Sequence, residues 1–299
     1  MQTSVIVHPP PSQPMKNTPN LLILALLFIS LLGHAQTPKK PATTVNYGNN
    51  AKNGHYFATR GINLYYETYG QGKPLLLIHG NGGSIKDYRY QIPYFAKHYR
   101  VIAVDSRAQG KSVDNGPELN YETMADDFDA LLTHLKLDSI LVIGWSDGGI
   151  NALLLAMRHP EKVKKLAITG ANLRPDTTAV TAEGYQMIAE ESAKLRAGTP
   201  DAAAKNTLKL LHMMEVEPNI SLSDLRKIKC PVLVMGGDFD VIKPRHTLEI
   251  FENIPQAYLW IFPESGHGTV HRYRNEFNAK VQHFFTHPYK KPNWIDWEP

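Results

Sequence analysis

Residues 140–149, with the sequence ILVIGWSDGG, combine a short apolar run with a glycine–X–serine–X–glycine turn. The four residues before the turn are typical of a buried strand, and residues 150–157 carry apolar side chains at helical spacing. In this strand–turn–helix setting a serine sits on a sharp turn with its hydroxyl exposed, and the glycines relieve crowding. The pattern therefore predicts that Ser146 is a nucleophile, rather than a serine that only caps the helix.

The rest of the chain alternates strand-like and helical patterns. Further apolar runs occupy 75–78, 101–104, 163–168, 232–235 and 258–262, and amphipathic helical patterns occupy 124–135 and 270–284. Such runs are typical of parallel strands that are covered on both faces. Two strand-like segments, 56–60 and 62–69, have no helix between them and predict an antiparallel hairpin. We therefore expect an α/β fold with a mostly parallel central sheet and helices on both faces.

The chain length and the spacing of these patterns predict the domain organisation. A chain of 299 residues fits one large domain, which we place at 54–288, between a linker at 36–53 and a C-terminal tail at 289–299. About 60 residues separate the runs 163–168 and 232–235, far more than an ordinary connection of about 2–6 residues. Helical patterns at 183–197 and 202–214 predict an inserted helical lid over about 171–229.

The N-terminus has the pattern of a secretory signal peptide at 1–35. Residues 21–32 are apolar and uncharged, and this length suits a signal peptide better than a membrane span. Small residues before Gln36 predict cleavage there, and Met15 followed by Lys16 is a candidate for the true start. We therefore expect export to the periplasm or the medium, without membrane attachment after cleavage. An N-terminal anchor is the alternative.

Composition and charge exclude several classes of protein. The net charge is +4 with no basic run, so the sequence gives no indication of nucleic-acid or membrane-surface binding. The single cysteine, Cys230, excludes a disulfide framework, and the apolar residues after it indicate a buried structural thiol. No metal-ligand spacing or phosphate-binding glycine loop occurs, so we expect neither a metal nor a cofactor.

A serine nucleophile needs a base, and the base needs an acid that orients it. His267 follows the apolar run 258–262 and is flanked by glycines, as a side chain that reaches from a loop would be. Asp238 and Asp240 both follow the run 232–235; we favour Asp240 as the acid, because Asp238 directly follows two glycines and could instead stabilise the turn. The histidines on or after the last helix, His271, His283 and His287, are predicted to be solvated.

Backbone N–H groups should form the oxyanion hole. One belongs to Asp147, the residue after the nucleophile, and the other to Asn81 in the glycine-rich loop 79–83. A glycine-rich turn without a site is the alternative for that loop. The Asp147 carboxylate either binds an α-ammonium group of the substrate or only favours the start of the helix.

Five motifs together resemble the α/β-hydrolase superfamily. They are His79-Gly80, DSRAQGKS at 105–112, GWSDGG at 144–149, Gly237 with Asp240 and Pro244, and Pro263-Glu264 with His267. The GWSDGG turn is similar to that of valacyclovir-hydrolase-like (biphenyl-hydrolase-like) serine hydrolases. The resemblance implies a triad of Ser146, Asp240 and His267, with oxyanion amides from Asn81 and Asp147. Ala108 stands where relatives usually carry glycine.

The resemblance implies a serine hydrolase that cleaves a small-molecule carboxylic ester, lactone or activated amide through an acyl-enzyme. Related dehalogenases and epoxide hydrolases use aspartate at the nucleophile position, so Ser146 argues against those activities. Cofactor-free perhydrolase (haloperoxidase-type) activity relies on the same triad and stays open. The second class is a non-catalytic binder of a small ligand on the same fold. The sequence favours no particular oligomeric state.

Overall fold

The computed structural model describes residues 45–293, so the predicted signal peptide, the first half of the linker and the last six residues of the tail lie outside the described part. Eight strands occur there: β1 Gly54–Thr59, β2 Ile62–Tyr69, β3 Lys73–Ile78, β4 Tyr99–Val104, β5 Ile140–Trp145, β6 Val163–Thr169, β7 Val232–Gly237 and β8 Ala257–Phe262. The helices are α1 Gln91–Phe95, α2 Tyr121–His134, α3 Asp147–Arg158, α4 Ala182–Ala197, α5 Ala202–Val216, α6 Leu222–Leu225, α7 Pro244–Asn253, α8 Thr269–Arg272 and α9 Arg274–Thr286.

The eight strands form one sheet in the order β1-β2-β4-β3-β5-β6-β7-β8. β1 pairs with β2 in antiparallel fashion, and β2 pairs with β4 in the same way. The pairs from β4 through β3, β5, β6 and β7 to β8 are all parallel. The prediction of a mostly parallel sheet that begins with an antiparallel hairpin is confirmed.

Both faces of the central strands are covered by helices. In β3, Leu76 and Ile78 belong to the apolar cluster that includes Phe128 of α2, while Leu75 and Leu77 face the other cluster, which includes residues of α1 and α9. Consecutive strand residues point to opposite faces, so a strand buried on both sides needs an unbroken apolar run. The sheet therefore holds the carboxyl ends of β5, β7 and β8 at one edge, where the predicted site residues follow them.

Two expectations about burial and helix length were wrong. The run 258–262 forms β8 as expected, but β8 is an edge strand whose side chains have neighbouring strand side chains on one flank only, and Trp260 is 37% exposed. The amphipathic pattern 270–284 is not one helix: α8 ends at Arg272, and α9 begins at Arg274. No helix within residues 45–293 combines the length and the apolar character that a membrane span requires.

The segment between β6 and β7 holds α4, α5 and α6, in agreement with the helical patterns that predicted a lid. α5 is attached to the body of the protein: Leu210 and Met213 are buried in the main apolar cluster. The Lys209 ammonium donates to the carbonyl oxygens of Asp114 and Gly116, at 3.0 and 2.9 Å. In contrast, α4 buries only Gly184 and Ser192.

Candidate active site

Ser146 lies on the tight turn between β5 and α3, with φ 55° and ψ −124°. This left-handed backbone is unfavourable for a residue with a side chain and holds the serine in one orientation. The flanking glycines are required by close packing. A β-carbon on Gly144 would lie 2.2 Å from the carbonyl oxygen of Gly148, and one on Gly148 would lie 1.9 Å from that of Ile78. The GWSDGG motif therefore permits α3 to start directly against the strands.

The structure brings Ser146, His267 and Asp240 together in one chain of hydrogen bonds. Nε2 of His267 lies 2.8 Å from Oγ of Ser146, and Nδ1 lies 2.7 Å from Oδ1 of Asp240. Oδ1 also accepts the N–H of Ile242 at 3.0 Å, and Oδ2 accepts that of Gly237 at 3.5 Å. Asp240 is only 4% exposed, so its charge is shielded from water and its orientation is fixed by backbone donors. This arrangement can move a proton from the serine hydroxyl to the imidazole.

Asp238, the competing carboxylate, lies elsewhere. Its Oδ1 accepts the N–H of Ser265 at 2.9 Å, and its Oδ2 accepts that of Glu264 at 3.0 Å. These backbone hydrogen bonds hold the pKa of Asp238 below its usual value, and the one from Ser265 has the largest effect. Asp238 therefore stabilises the loop that carries His267 and does not contact the imidazole.

The glycine-rich loop after β3 closes the other side of the serine. A β-carbon on Gly80 would lie 3.0 Å from the β-carbon of Ser146, so a larger residue would crowd that serine. Asn81 follows Gly80 and lines the same cavity as Ser146. Asp147 is the first residue of α3, so its N–H has no partner in a preceding helical turn. Both backbone positions expected to form the oxyanion hole border the cavity at the serine.

The Asp147 side chain is buried, with 4% of the residue exposed. Its Oδ2 accepts the side-chain N–H of Asn81 at 2.8 Å, and its carboxylate also takes a hydrogen bond from the Tyr121 hydroxyl. Burial raises the pKa of Asp147, and these two hydrogen bonds oppose the rise. The carboxylate is thus part of the cavity wall and is partly satisfied by neutral donors.

The cavity at Ser146 has a volume of about 220 Å³. Apolar side chains from the lid and from the loop after β7 form much of its wall: Val180, Met187, Ile188, Met214, Val241 and Ile242. Tyr121 and Glu217 also line it; sequence analysis did not single them out, because they lie far from the motifs along the chain. The volume is below the range of about 300–1,000 Å³ that is typical of sites for drug-sized ligands. The cavity therefore suits a small acyl group.

The remaining candidates fall outside this cavity. His283 and His287 are exposed, as expected, but His271 is half-buried: its Nε2 lies 3.0 Å from the carbonyl oxygen of Asp87, and its ring packs edge-on against Trp145. Cys230 is buried, and burial raises its pKa to about 12. Three possible metal ligands do approach one another on the surface within residues 45–293: Asp129, His159 and Glu161. This group shares no residue with the cavity.

Residues 73–216 match the α/β hydrolase fold family. Serine hydrolase BPHL of Mus musculus is 28% identical over 258 residues, which cover 76% of this chain and 84% of that protein. The pimeloyl-(acyl-carrier protein) methyl ester esterase of Chromobacterium violaceum is 29% identical and covers 75% of this chain and 99% of its own. The esterase EaEST from Exiguobacterium antarcticum has a TM-score of 0.69 at 25% identity, and covers 78% of this chain and 100% of its own.

The sheet order, the strained serine turn and these relatives all indicate the same fold and the same class of enzyme. The chain has the α/β-hydrolase fold and is a serine hydrolase. The similarity to biphenyl-hydrolase-like proteins that the GWSDGG motif indicated is confirmed by the match to BPHL.

Proposed function

We propose that the protein hydrolyses a small carboxylic ester through an acyl-enzyme formed on Ser146, with His267 as general base and acid and Asp240 as the residue that orients it. The observation that carries this proposal is the unbroken hydrogen-bond chain at 2.8 and 2.7 Å across the three side chains. The esterase names of two relatives support an ester as the substrate.

The geometry supports a two-stage reaction. In the first stage, His267 Nε2 accepts the hydroxyl proton while Ser146 Oγ attacks the carbonyl carbon. The resulting oxyanion accepts hydrogen bonds from the backbone N–H groups of Asn81 and Asp147. The carbon–oxygen bond to the alcohol then breaks, and the alcohol leaves with the proton from Nε2. In the second stage, water gives a proton to Nε2 and attacks the acyl carbon, and Oγ regains a proton as the acid leaves.

We also propose that the Asp147 carboxylate lies close enough to the acyl carbon to bind a substrate α-ammonium group. A buried carboxylate close to a developing oxyanion is unfavourable by like-charge repulsion unless a cation offsets it. The alternative is that Asp147, held by Asn81 and Tyr121, only supports the helix start.

We propose further that residues 1–35 direct export and are removed before Gln36, so that the enzyme acts in the periplasm or the medium. The support is the apolar run 21–32 with small residues before Gln36. The intact mass of the protein from its native host tests this proposal: a chain that begins at Gln36 supports it, and a chain that retains residues 21–32 contradicts it.

Turnover of a panel of chromogenic esters with increasing acyl length tests the reaction. Because the cavity is small, the best substrates should have short acyl groups, and Ser146→Ala should lower kcat by about 10⁴-fold or more. The substitution removes only the attacking oxygen, so the fold should persist by circular dichroism. A Ser146→Ala variant that keeps a tenth of the activity would show that the nucleophile lies elsewhere.

A further inference from the structure

Two carboxylates, Asp147 and Glu217, line the cavity that holds Ser146. Within residues 45–293, no lysine, arginine or histidine forms an ion pair with either one; all ion pairs there involve other carboxylates. A buried carboxylate needs no such partner when both of its oxygens accept hydrogen bonds, as those of Asp105 do. A half-buried carboxylate that lacks both a counter-charge and a full set of hydrogen bonds favours a cationic ligand.

The two carboxylates differ in what they already bind. Asp147 takes hydrogen bonds from the side chains of Asn81 and Tyr121. Glu217 follows directly after α5, and its Oε2 accepts the backbone N–H of Tyr121 at 2.9 Å. Its Oε1 accepts no hydrogen bond from the described residues. One oxygen of Glu217 thus fixes the carboxylate against the start of α2, and the other is available to a ligand.

The two carboxylates lie at opposite ends of Tyr121, whose hydroxyl bonds Asp147 and whose backbone N–H bonds Glu217. Asp147 directly follows Ser146 in the sequence, whereas Glu217 belongs to the lid segment, as the apolar cavity residue Met214 does. An acyl chain that extends from the serine into the cavity runs along apolar side chains such as Ile188 and Val241. A cation at the far end of such a chain would meet the carboxylate that the lid contributes.

We infer that Glu217 is a specificity-determining residue that selects esters whose acyl chain ends in a cation, as in ω-ammonium alkanoates. This inference rests on the proposed ester hydrolysis and extends it, because it assigns the distal end of the acyl group to a residue of the lid. Burial raises the pKa of Glu217, and the Tyr121 N–H opposes the rise. A bound ammonium group would favour the ionised carboxylate and lower its pKa again.

The competing explanation is that Glu217 only caps α2. A negative side chain at a helix start is favourable by itself, and the hydrogen bond to the Tyr121 N–H needs no ligand. Glu217→Gln separates the two roles, because glutamine keeps an oxygen that can accept the Tyr121 N–H but removes the charge. A capping role predicts a change in thermal stability without a change in substrate preference.

The experiment compares methyl esters of ω-ammonium acids from butanoyl to hexanoyl length with neutral esters in which a methyl group replaces the ammonium. These substrates carry no α-ammonium group, so they do not probe Asp147. Product acid is followed in a pH-stat at low salt. At one or more lengths the wild type should prefer the ammonium ester by about tenfold or more in kcat/KM, mainly through KM. In Glu217→Gln the ratio of the two esters should fall towards one.

Glu190→Gln is the matched control. Glu190 lines an adjoining cavity that shares Met187 and Ile188 with the cavity at Ser146, and it accepts a hydrogen bond from Gln186. Its substitution therefore removes the same charge near the cavity at Ser146 without changing a residue that lines it. The preference should persist in this variant. A preference that falls equally in both variants would indicate general attraction of cations and would overturn the inference.

Two other outcomes are distinguishable. In the first, the wild type hydrolyses the neutral esters and shows no preference for any ammonium ester, or its preference for the ammonium ester survives in Glu217→Gln. Either result overturns the role of Glu217 and leaves the proposed ester hydrolysis intact. Failure of the wild type to hydrolyse any ester in the series contradicts the proposed function and the inference together.

Discussion

Replacing Asp240 by asparagine removes one charge from the buried end of the hydrogen-bond chain. Asp240 Oδ1 accepts both the N–H of Ile242 at 3.0 Å and the Nδ1 hydrogen of His267 at 2.7 Å, whereas Oδ2 accepts only the longer contact from Gly237 at 3.5 Å. The asparagine oxygen should therefore take the Oδ1 position, because an NH₂ group there would oppose the Ile242 N–H. In that orientation the amide still accepts from Nδ1, and Nε2 keeps the form that accepts the serine proton.

The cost of the substitution is then mainly the lost attraction between a carboxylate and the imidazolium that forms during the reaction. At a charge separation of about 4 Å and an effective dielectric constant of about 20, this attraction amounts to about 4 kcal/mol. Converted at about 1.4 kcal/mol per tenfold change in rate, it corresponds to about 10³-fold in kcat/KM. A loss closer to about 10⁴-fold would indicate that the amide also holds His267 in the wrong tautomer.

Asp238→Asn is the matched comparison, since it makes the same chemical change two residues away. Asp238 holds the backbone of Ser265 and Glu264 and does not touch His267, so this variant should lose no more than about tenfold in kcat/KM. Both variants are assayed with the same short-chain chromogenic ester, and circular dichroism verifies their folding. If Asp238→Asn is the more damaging of the two in kcat, the assignment of Asp240 is refuted.

Three further predictions concern single residues. Ser146→Gly should be more stable than Ser146→Ala by about 1 kcal/mol in urea denaturation, because glycine tolerates the positive φ without strain; equal stabilities would show that the turn is not strained. Cys230 should not react with Ellman's reagent in the native protein at pH 8 and should react after unfolding, because burial raises its pKa to about 12; rapid native reaction would contradict this. The wild-type kcat/KM for an α-amino ester should be about tenfold higher than that for its des-amino analogue. This preference should fall in Asp147→Asn. In the wild type the preference for the α-amino ester should be lost as the pH is lowered, because protonation removes the charge of Asp147. The loss should occur at a higher pH than for an ordinary aspartate, because burial raises the pKa of Asp147. A wild type without the preference would show that Asp147 only supports the helix start.

The parts of the molecule governed by local rules were predictable from the sequence. The run 140–143 followed by GWSDGG specified strand, turn and helix, because only glycine permits the close packing of the backbone found there. The position of His267 followed from the same kind of rule, since a residue directly after a parallel strand lies at the carboxyl edge of the sheet. The sequence favoured Asp240 over Asp238 only because Asp238 follows two glycines and could stabilise the turn. The structure places Asp240 against the imidazole of His267.

The parts that depend on contacts between distant segments were not predictable in this way. Tyr121 at the start of α2 and Glu217 at the end of α5 meet through a hydrogen bond between residues 96 positions apart, and no local pattern indicates that contact. The exposure of Trp260 depends on β8 being the last strand of the sheet, and strand order is not contained in an apolar run. His271 looked solvated because its contact with Trp145 spans separate elements.

Labelling with a fluorophosphonate, followed by peptide mapping, tests directly whether Ser146 is the nucleophile. The reagent forms a stable phosphonyl ester only with a serine that a neighbouring base activates. We expect one label per chain, located on Ser146, with labelling abolished in Ser146→Ala and strongly slowed in Asp240→Asn. A label on another residue, or equal labelling of Ser146→Ala, would contradict the claim that Ser146 is the nucleophile.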